Sequence, residues 1–414
     1  MKAAQYVTAL LLSHATCSIA SGFVEDSSAT LALRNFYMDR DFRDGSGQSQ
    51  AQEWAQGFQF NFSSGFTPGT LGFGVNTLAM AGFKLDSSPD RTGTGLLPYD
   101  TSDREPRPNY SKAGVAGKAR ISKTELQIGS VTTLVPVAFP VTARLFAPYY
   151  EGATLQSKEI DNLTINAASF DRQIYRDSTN GDKLRVSSPN NRFIGSAESD
   201  SFYYGGAEYR WNPSLKTSYY FAQLQDIYTQ HFVGATHKAA IGSDSLITEA
   251  YLFRSLGDGA ERAGNVDNYN FNINLSYRHK AHTFSLGHMR LSGESAMPYL
   301  AGTDPYLIVG GSLVSEYINP DERVWQAKYQ YDFAAMAIPG LTGMIRVVRG
   351  DNVHLPQYDW SGSEWERDIE LAYVIQQGTF SGVAFRVRQG HYQSDFARNV
   401  DETRLNIDYT FKLW

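Results

Sequence analysis

The segment Phe271-Asn272-Ile273-Asn274-Leu275-Ser276-Tyr277 decides the fold, because one parity is wholly apolar and the other wholly polar. Successive side chains on a strand point to opposite faces, so the segment is a two-faced β ribbon rather than a helical stripe. The C-terminus repeats it: Leu405, Ile407, Tyr409, Phe411 and Leu413 oppose Arg404, Asn406, Asp408, Thr410 and Lys412. Nearer the start, Phe58, Phe60 and Phe62 face away from Gln59, Asn61 and Ser63, and Leu71, Phe73 and Val75 away from Gly72, Gly74 and Asn76. In a soluble sandwich such apolar faces would meet in one core and the strands would be shorter. Here the ribbons run about eight to eleven residues and carry aromatics near their ends: Trp54, Tyr209 with Trp211, Trp325 with Tyr329 and Tyr331, and Trp414. An outward apolar band bordered by aromatic girdles around a polar interior describes a transmembrane antiparallel β-barrel. Closure leaves no unpaired backbone edge in hydrocarbon. About 22 residues per strand and loop predict roughly 16 to 18 strands, enough to enclose an aqueous lumen. No linker divides the chain, so residues 21–414 read as one all-β domain.

Composition removes the competing classes. The 414 residues are 42% hydrophobic and 19% charged, with 25 Tyr, 24 Phe and 36 Gly, below the roughly 25% charged of an average soluble domain. The mean hydropathy of −0.36 opposes a helical membrane protein. The one conspicuous uncharged run, Leu126–Ala143, is broken by Pro136 and Pro140, whereas a spanning helix needs about 20 apolar residues. Aromatics at 13% exclude disorder. A net charge of −6 excludes a generally basic nucleic-acid binder. The single cysteine, Cys17, excludes disulfide frameworks and Cys-ligated zinc or iron–sulfur centres. No metal or cofactor is expected.

No charge lies between Lys2 and Glu25, Ala3–Leu12 is apolar, and Ser18-Ile19-Ala20 supplies small residues. This predicts a secretory signal over 1–20, cleaved near Ala20.

Parity also sorts the basic residues. Arg386 and Arg388 oppose Phe385 and Val387, Arg404 opposes Leu405 and Ile407, and Arg346 opposes Ile345 and Val347. Lys118 and Arg120 oppose Ala119 and Ile121, and Arg34 opposes Leu31 and Leu33. A basic residue facing lipid costs about 2–4 kcal/mol near the midplane, so all seven are expected in the water-filled interior. A row of guanidinium groups offers a carboxylate successive bidentate sites, and conduction needs sites that attract yet release. Some rungs could instead neutralise wall acids such as Glu370 and Asp408.

Ordered short motifs carry a family resemblance. They include Phe23-Val24-Glu25-Asp26-Ser27-Ser28, Leu33-Arg34-Asn35-Phe36-Tyr37, Trp54-Ala55-Gln56-Gly57-Phe58, Lys118-Ala119-Arg120-Ile121-Ser122-Lys123-Thr124 and Ile338-Pro339-Gly340-Leu341-Thr342. Across nearly the whole mature chain the sequence resembles the OprD (Occ) family of substrate-specific outer-membrane porins. The resemblance implies an 18-stranded barrel with inward-folded constriction loops, a monomer or loose homotrimer in the Gram-negative outer membrane, passing small carboxylate-bearing solutes inward. It implies that the seven basic residues form a ladder along one wall. It matches Arg144 to a constriction arginine in a loop running from Val131–Pro140 through Leu145 and Phe146 to Tyr149 and Tyr150. It likens Gly302-Thr303-Asp304-Pro305-Tyr306 to a second inward loop supplying an electronegative pocket through Asp304 and Tyr306. An Asx-type turn before Pro305 is the plainer reading of Asp304. Family members that take basic amino acids commonly carry a lysine where Ala372 stands, which leans toward aromatic or cyclic monocarboxylates, with basic amino acids and peptides as the alternative. The outer-membrane partners are lipid and the barrel-assembly machinery, which reads a final aromatic residue. Here Trp414 falls on the polar parity relative to Phe411 and Leu413.

Other signals are weaker. His279 and His282 flank a tight turn and read as solvated, and Gly257-Asp258-Gly259 reads as an exposed hairpin loop. A barrel-borne hydrolase is the alternative from another class, but His231, His288 and His391 show no serine or carboxylate partner in phase.

Overall fold

The structure, a computed structural model, describes residues 22–355 and 357–414; the expected signal segment 1–20, with Cys17, lies outside them. Among the described residues eighteen strands form one antiparallel sheet. The first nine are β1 Ser28–Phe42, β2 Gln50–Ser63, β3 Leu71–Asp86, β4 Asn109–Ile121, β5 Thr124–Val131, β6 Tyr149–Ser157, β7 Leu163–Ile174, β8 Phe202–Asn212 and β9 Leu215–Leu224. The rest are β10 Tyr228–Ile241, β11 Asp244–Gly257, β12 Asp267–His279, β13 His282–Ser292, β14 Arg323–Asp332, β15 Leu341–Val353, β16 Gly362–Val374, β17 Ala384–Ser394 and β18 Val400–Lys412. Each strand pairs with its chain neighbours, and β1 closes on β18 from Thr30↔Lys412 to Phe42↔Val400. Eighteen falls at the upper end of the range that length alone predicts.

The strands run from 8 residues in β5 to 16 in β3, longer than the sequence reading expects. About 9–11 tilted residues cross a bilayer, so the alternating core of each ribbon is the crossing part. The excess extends beyond it at the external end, where burial still alternates, as over 109–118 of β4. Two-residue turns, such as 122–123, 242–243 and 280–281, join strands at one end. Gly242 takes φ +62° there, a left-handed conformation that glycine adopts without strain. The opposite end carries the long excursions 87–108, 132–148, 175–201 and 293–322. In outer-membrane barrels the short turns are periplasmic and the long loops external.

The barrel is apolar outside. Phe271 and Leu275 are 44% and 41% exposed, whereas Asn270 and Asn272 on the other face are fully buried. That arrangement is unstable in water and stable in lipid, which solvates the outer band. The interior departs from the expected polar lining. One apolar cluster joins inner-wall Phe170, Phe202, Tyr220 and Phe232 to Val135, Val137, Leu184 and Leu300 from three loops. A second seats Leu96, Leu97, Leu145 and Phe146 against Phe36, Met38 and Tyr110 of the wall. The loops thus fill part of the lumen with a core of their own.

β18 ends at Lys412, two residues before the terminus, so strand parity does not extend to Trp414. Its indole donates to Ser27 Oγ at 2.9 Å and packs against the Phe62 ring, with centroids 6.3 Å apart. The aromatic end is therefore fixed beside β1 by a short extension rather than by the alternation.

Candidate functional site

The filled and open halves of the lumen meet at the two inward excursions that the sequence singles out. In the β5–β6 loop Val135, Val137, Ala138, Leu145 and Phe146 are buried. The β13–β14 loop meets it directly, with Thr303 and Asp304 pairing antiparallel with Pro140 and Phe139. Beside this junction lies a cavity of about 1020 Å³, bounded by the loops on one side and by the β17, β18 and β1 wall on the other.

Inner-face residues of these three strands stand in register. Arg388 of β17 is opposite Arg404 of β18, and Arg386 is opposite Asn406. Asp408 is opposite Arg34 of β1, and Glu402 opposite Arg40. Two residues along a strand span about 7 Å, so Arg40, the Arg388–Arg404 pair, Arg386 and Arg34 descend in regular steps toward the periplasmic end. Their environments differ. Arg404 is 2% exposed, ion-paired with Glu402, and donates to the Leu313 carbonyl at 2.7 Å. Arg34 donates to Asp408 at 2.6 Å and to the carbonyls of Thr142 and Arg144 at 3.2 and 2.8 Å. Arg388 reaches only Asn406 Oδ1, at 3.3 Å, and its buried Nε has no partner among the described residues. Arg386 is half-exposed, with Glu370 3.9 Å away.

The remaining rungs stand apart. Arg346 of β15 is 5% exposed and locked to Asp368 of β16 at 2.5 and 3.0 Å, so it neutralises a wall acid. Lys118 faces inward on β4 but is buried, donating to Ser63 Oγ and the Ser64 carbonyl at 2.8 and 2.7 Å. Arg120 lies over the Phe66 ring at 4.1 Å at the same periplasmic end. The expected single ladder is therefore corrected: Arg34, Arg386, Arg388 and Arg404 share one wall, whereas Arg346, Lys118 and Arg120 do not join it. Arg40, absent from the seven that the sequence singles out, belongs with them and shares the parity of Arg34 along β1. Arg176, Arg192 and Arg398 also line the cavity; they sit in loops, where no parity exists.

Across the cavity, Arg144 donates to the Thr94 carbonyl at 2.7 Å and to its own loop at Ala143. Burial lowers its proton affinity; the nearby cations Arg404 and Arg176 add to this and Glu402 offsets part. Asp304 also lines the cavity. Burial raises its pKa to about 6, Glu316 pushing the same way and Arg144, Arg176 and Arg404 opposing. The other contributors expected from the two loops are packed rather than presented. Tyr149 is buried with its hydroxyl on the Ala113 carbonyl at 2.9 Å, and Tyr150 is buried and stacked on Phe170 at 4.7 Å. Both begin β6, where the inward loop rejoins the wall. Tyr306 packs on Phe139 and Tyr251, each 5.1 Å away, and is no part of the pocket lining.

Loop position is set by buried acids. Glu366 of β16 accepts from the amides of Leu313, Val314 and Ser315 at 2.6, 3.1 and 3.0 Å. Gly390 of β17 leaves room for that contact, since a Cβ there would stand 3.1 Å from Leu313 Cβ.

The histidines resolve differently from expectation. His279 and His282 do flank a turn, but each has a partner: His279 Nδ1 is 3.0 Å from Asp244 and His282 Nδ1 is 2.8 Å from the Tyr329 hydroxyl. His391 does have a carboxylate neighbour, Asp401 at 2.5 Å, on the outer face. No serine hydroxyl hydrogen-bonds it among the described residues, so the pair lacks the nucleophile of a hydrolytic triad. No metal-holding cluster occurs among the described residues.

The chain matches the family model described as outer membrane porin, OprD family, over residues 21–413. Porin D of Pseudomonas aeruginosa is 33% identical over 420 aligned positions, covering 95% of this chain and 93% of that protein. The crystal structure of Pseudomonas aeruginosa OccK9 (OpdG) superposes with a TM-score of 0.91 at 38% identity, over 95% of this chain and all of that one. That of Pseudomonas aeruginosa OpdK with vanillate superposes with a TM-score of 0.89 at 35% identity, with the same coverage.

Proposed function

The chain belongs to the OprD family of outer membrane porins, and from that premise we propose that its pore admits small carboxylate-bearing solutes along the β17–β18–β1 wall. A porin is a channel and not an enzyme, and the Gram-negative outer membrane is where this barrel is stable. The finer reading rests chiefly on Arg388, a cation on the cavity wall whose buried Nε has no acceptor among the described residues. An unpaired guanidinium N–H is expensive to bury, and a solute carboxylate supplies the missing acceptor in bidentate geometry. Arg404 beside it, already paired with Glu402, adds field without competing for the same oxygen. Arg386 and Arg34 offer the next sites, so that a carboxylate is handed down rather than trapped. Asp304 across the gap reads the other end of the solute and disfavours a second negative charge when ionised. OpdK, related at 35% identity, has been crystallised with vanillate, an aromatic monocarboxylate, which supports the same class here, as does Ala372 where a lysine would add a rung.

The test is uptake of radiolabelled benzoate and arginine into liposomes holding the purified protein. Benzoate is expected to enter faster. Faster arginine entry would replace this reading with a basic amino acid channel, and equal, unsaturable entry of both would remove substrate selectivity altogether.

A further inference from the structure

The lipid-facing wall carries a second basic feature, separate from the pore. Arg254, Arg290, Arg323 and Arg349 lie near the external ends of β11, β13, β14 and β15, and Arg367 lies further in on β16, opposite Val347. All occupy outward parity: their strand neighbours Ser255, Leu291, Val324, Val348 and Glu366 are buried toward the interior. Arg290 and Arg323 are register partners, and Arg349 is opposite Trp325, two residues from Arg323. Among the described residues only two aspartates answer them. Arg254 pairs with Asp267 while lying over the Tyr269 ring at 4.0 Å, and Arg323 pairs with Asp351 at 2.8 Å. Arg290 and Arg349 are exposed and make no side-chain hydrogen bond or ion pair among the described residues. In a chain of net charge −6 this patch is locally positive.

Like charges directly opposite on neighbouring strands repel. Here they do so at the edge of hydrocarbon, where water screens them less than on a soluble surface. The aromatic residues Tyr269, Trp325 and Trp365 among them mark the headgroup level. Apolar side chains adjoin them: Phe271 is the register partner of Arg290, while Val347 and Ile369 lie two residues further toward the periplasmic end than Arg349 and Arg367, all three 44% exposed. A ligand matching both layers is anionic at one end and hydrocarbon at the other. Guanidinium groups bind phosphate oxygens in pairs, and basic clusters beside a membrane bind anionic headgroups. We propose that this face binds a phosphate-bearing lipid of the external leaflet, with its headgroup on Arg290, Arg323 and Arg349 and its acyl chains on Phe271, Val347 and Ile369.

The test uses the intact folded barrel in detergent and the triple variant Arg290→Gln, Arg323→Gln, Arg349→Gln. Each is incubated with bisphosphorylated lipid A or with its dephosphorylated form, and retained lipid is counted by native mass spectrometry. Wild type is expected to retain the bisphosphorylated lipid at least roughly tenfold better than the dephosphorylated one, and the variant to lose that preference. Single-channel conductance, which these outward residues do not touch, should stay unchanged and confirms that the variant is folded. If the triple variant does not fold, Arg290→Gln alone should lower retention about threefold in the same assay. Equal retention of both lipids by wild type, or unchanged retention in the variants, overturns the proposal. Displacement of the lipid by millimolar inorganic phosphate would make this a soluble-anion site, and a change of oligomeric state in the variant would make it a contact between copies; either result also overturns it.

Discussion

Arg388 and Arg404 are register partners on adjacent strands, two cations side by side of which only Arg404 is ion-paired with a carboxylate, that of Glu402, which it shares with Arg40. That inequality distinguishes a rung that holds the wall together from a rung that is left for a solute. Removing Arg388 is expected to lower anion selectivity and weaken block by carboxylates, with little loss of barrel stability. Single-channel recordings of Arg388→Ala and of the double variant with Arg386→Ala check this. Unaltered selectivity in both would take these residues out of the conduction path.

Arg346 should behave in the opposite way. It is locked to Asp368 with both side chains nearly fully buried. Breaking a buried pair from one side costs about 3–5 kcal/mol. Arg346→Ala is therefore expected to lower the unfolding temperature seen as heat-modifiable mobility, while benzoate block changes less than in Arg388→Ala.

Asp304 should give the pore a pH dependence. Its pKa is raised to about 6, so the carboxyl is charged above that pH and neutral below it. Neutralising it leaves the arginine wall unopposed, so the anion-to-cation permeability ratio should rise as pH falls through about 6. Asp304→Asn should hold the low-pH ratio at every pH. Reversal potentials between pH 5 and 8 decide the matter, and a wild-type titration surviving in the variant would assign it to another group.

Glu366 fixes the β13–β14 loop through three amide donors. Buried hydrogen bonds contribute about 0.5–1.5 kcal/mol each, and leaving their donors unsatisfied costs about 1–3 kcal/mol. Glu366→Ala should loosen the loop, seen as noisier and larger open-channel current and faster proteolysis within 293–322. A quiet channel of unchanged conductance would show that the apolar contacts hold the loop without the carboxylate.

The outer face can be tested by charge. Leu275→Arg places a cation on the lipid side of β12 and should cost about 2–4 kcal/mol if it lies near the midplane. Refolding yield into lipid vesicles, compared with wild type, reports this loss.

Much of the barrel was readable because alternation is a local property. From Phe271 to Tyr277 every side chain declares its face, and the lipid-facing member turns out to be the apolar one. The same rule found Arg386, Arg388 and Arg404 and should have found Arg40. It fails where an inner position is apolar because a loop covers it, as at Phe36 and Met38 beneath Leu96 and Phe146. It cannot separate a solvated inner arginine from one locked to an acid, because the partner, such as Asp368 for Arg346, lies on another strand. Loops are less readable still. Arg144 and Asp304 were located by resemblance, whereas Arg176 and Arg192 had neither period nor motif. Tyr149, Tyr150 and Tyr306 are packed against other side chains or backbone, because aromatic residues at a loop's foot serve equally well as anchors or as lining.

The short ladder between Phe139–Pro140 and Thr303–Asp304 has a consequence for how such a channel changes its diet. Arg144 and Asp304 belong to excursions far apart in the chain, yet the ladder couples them like two blades on one pivot. An insertion in either loop would displace both charges together. New preferences are therefore reached more readily by exchanging side chains within the present frame than by lengthening a loop.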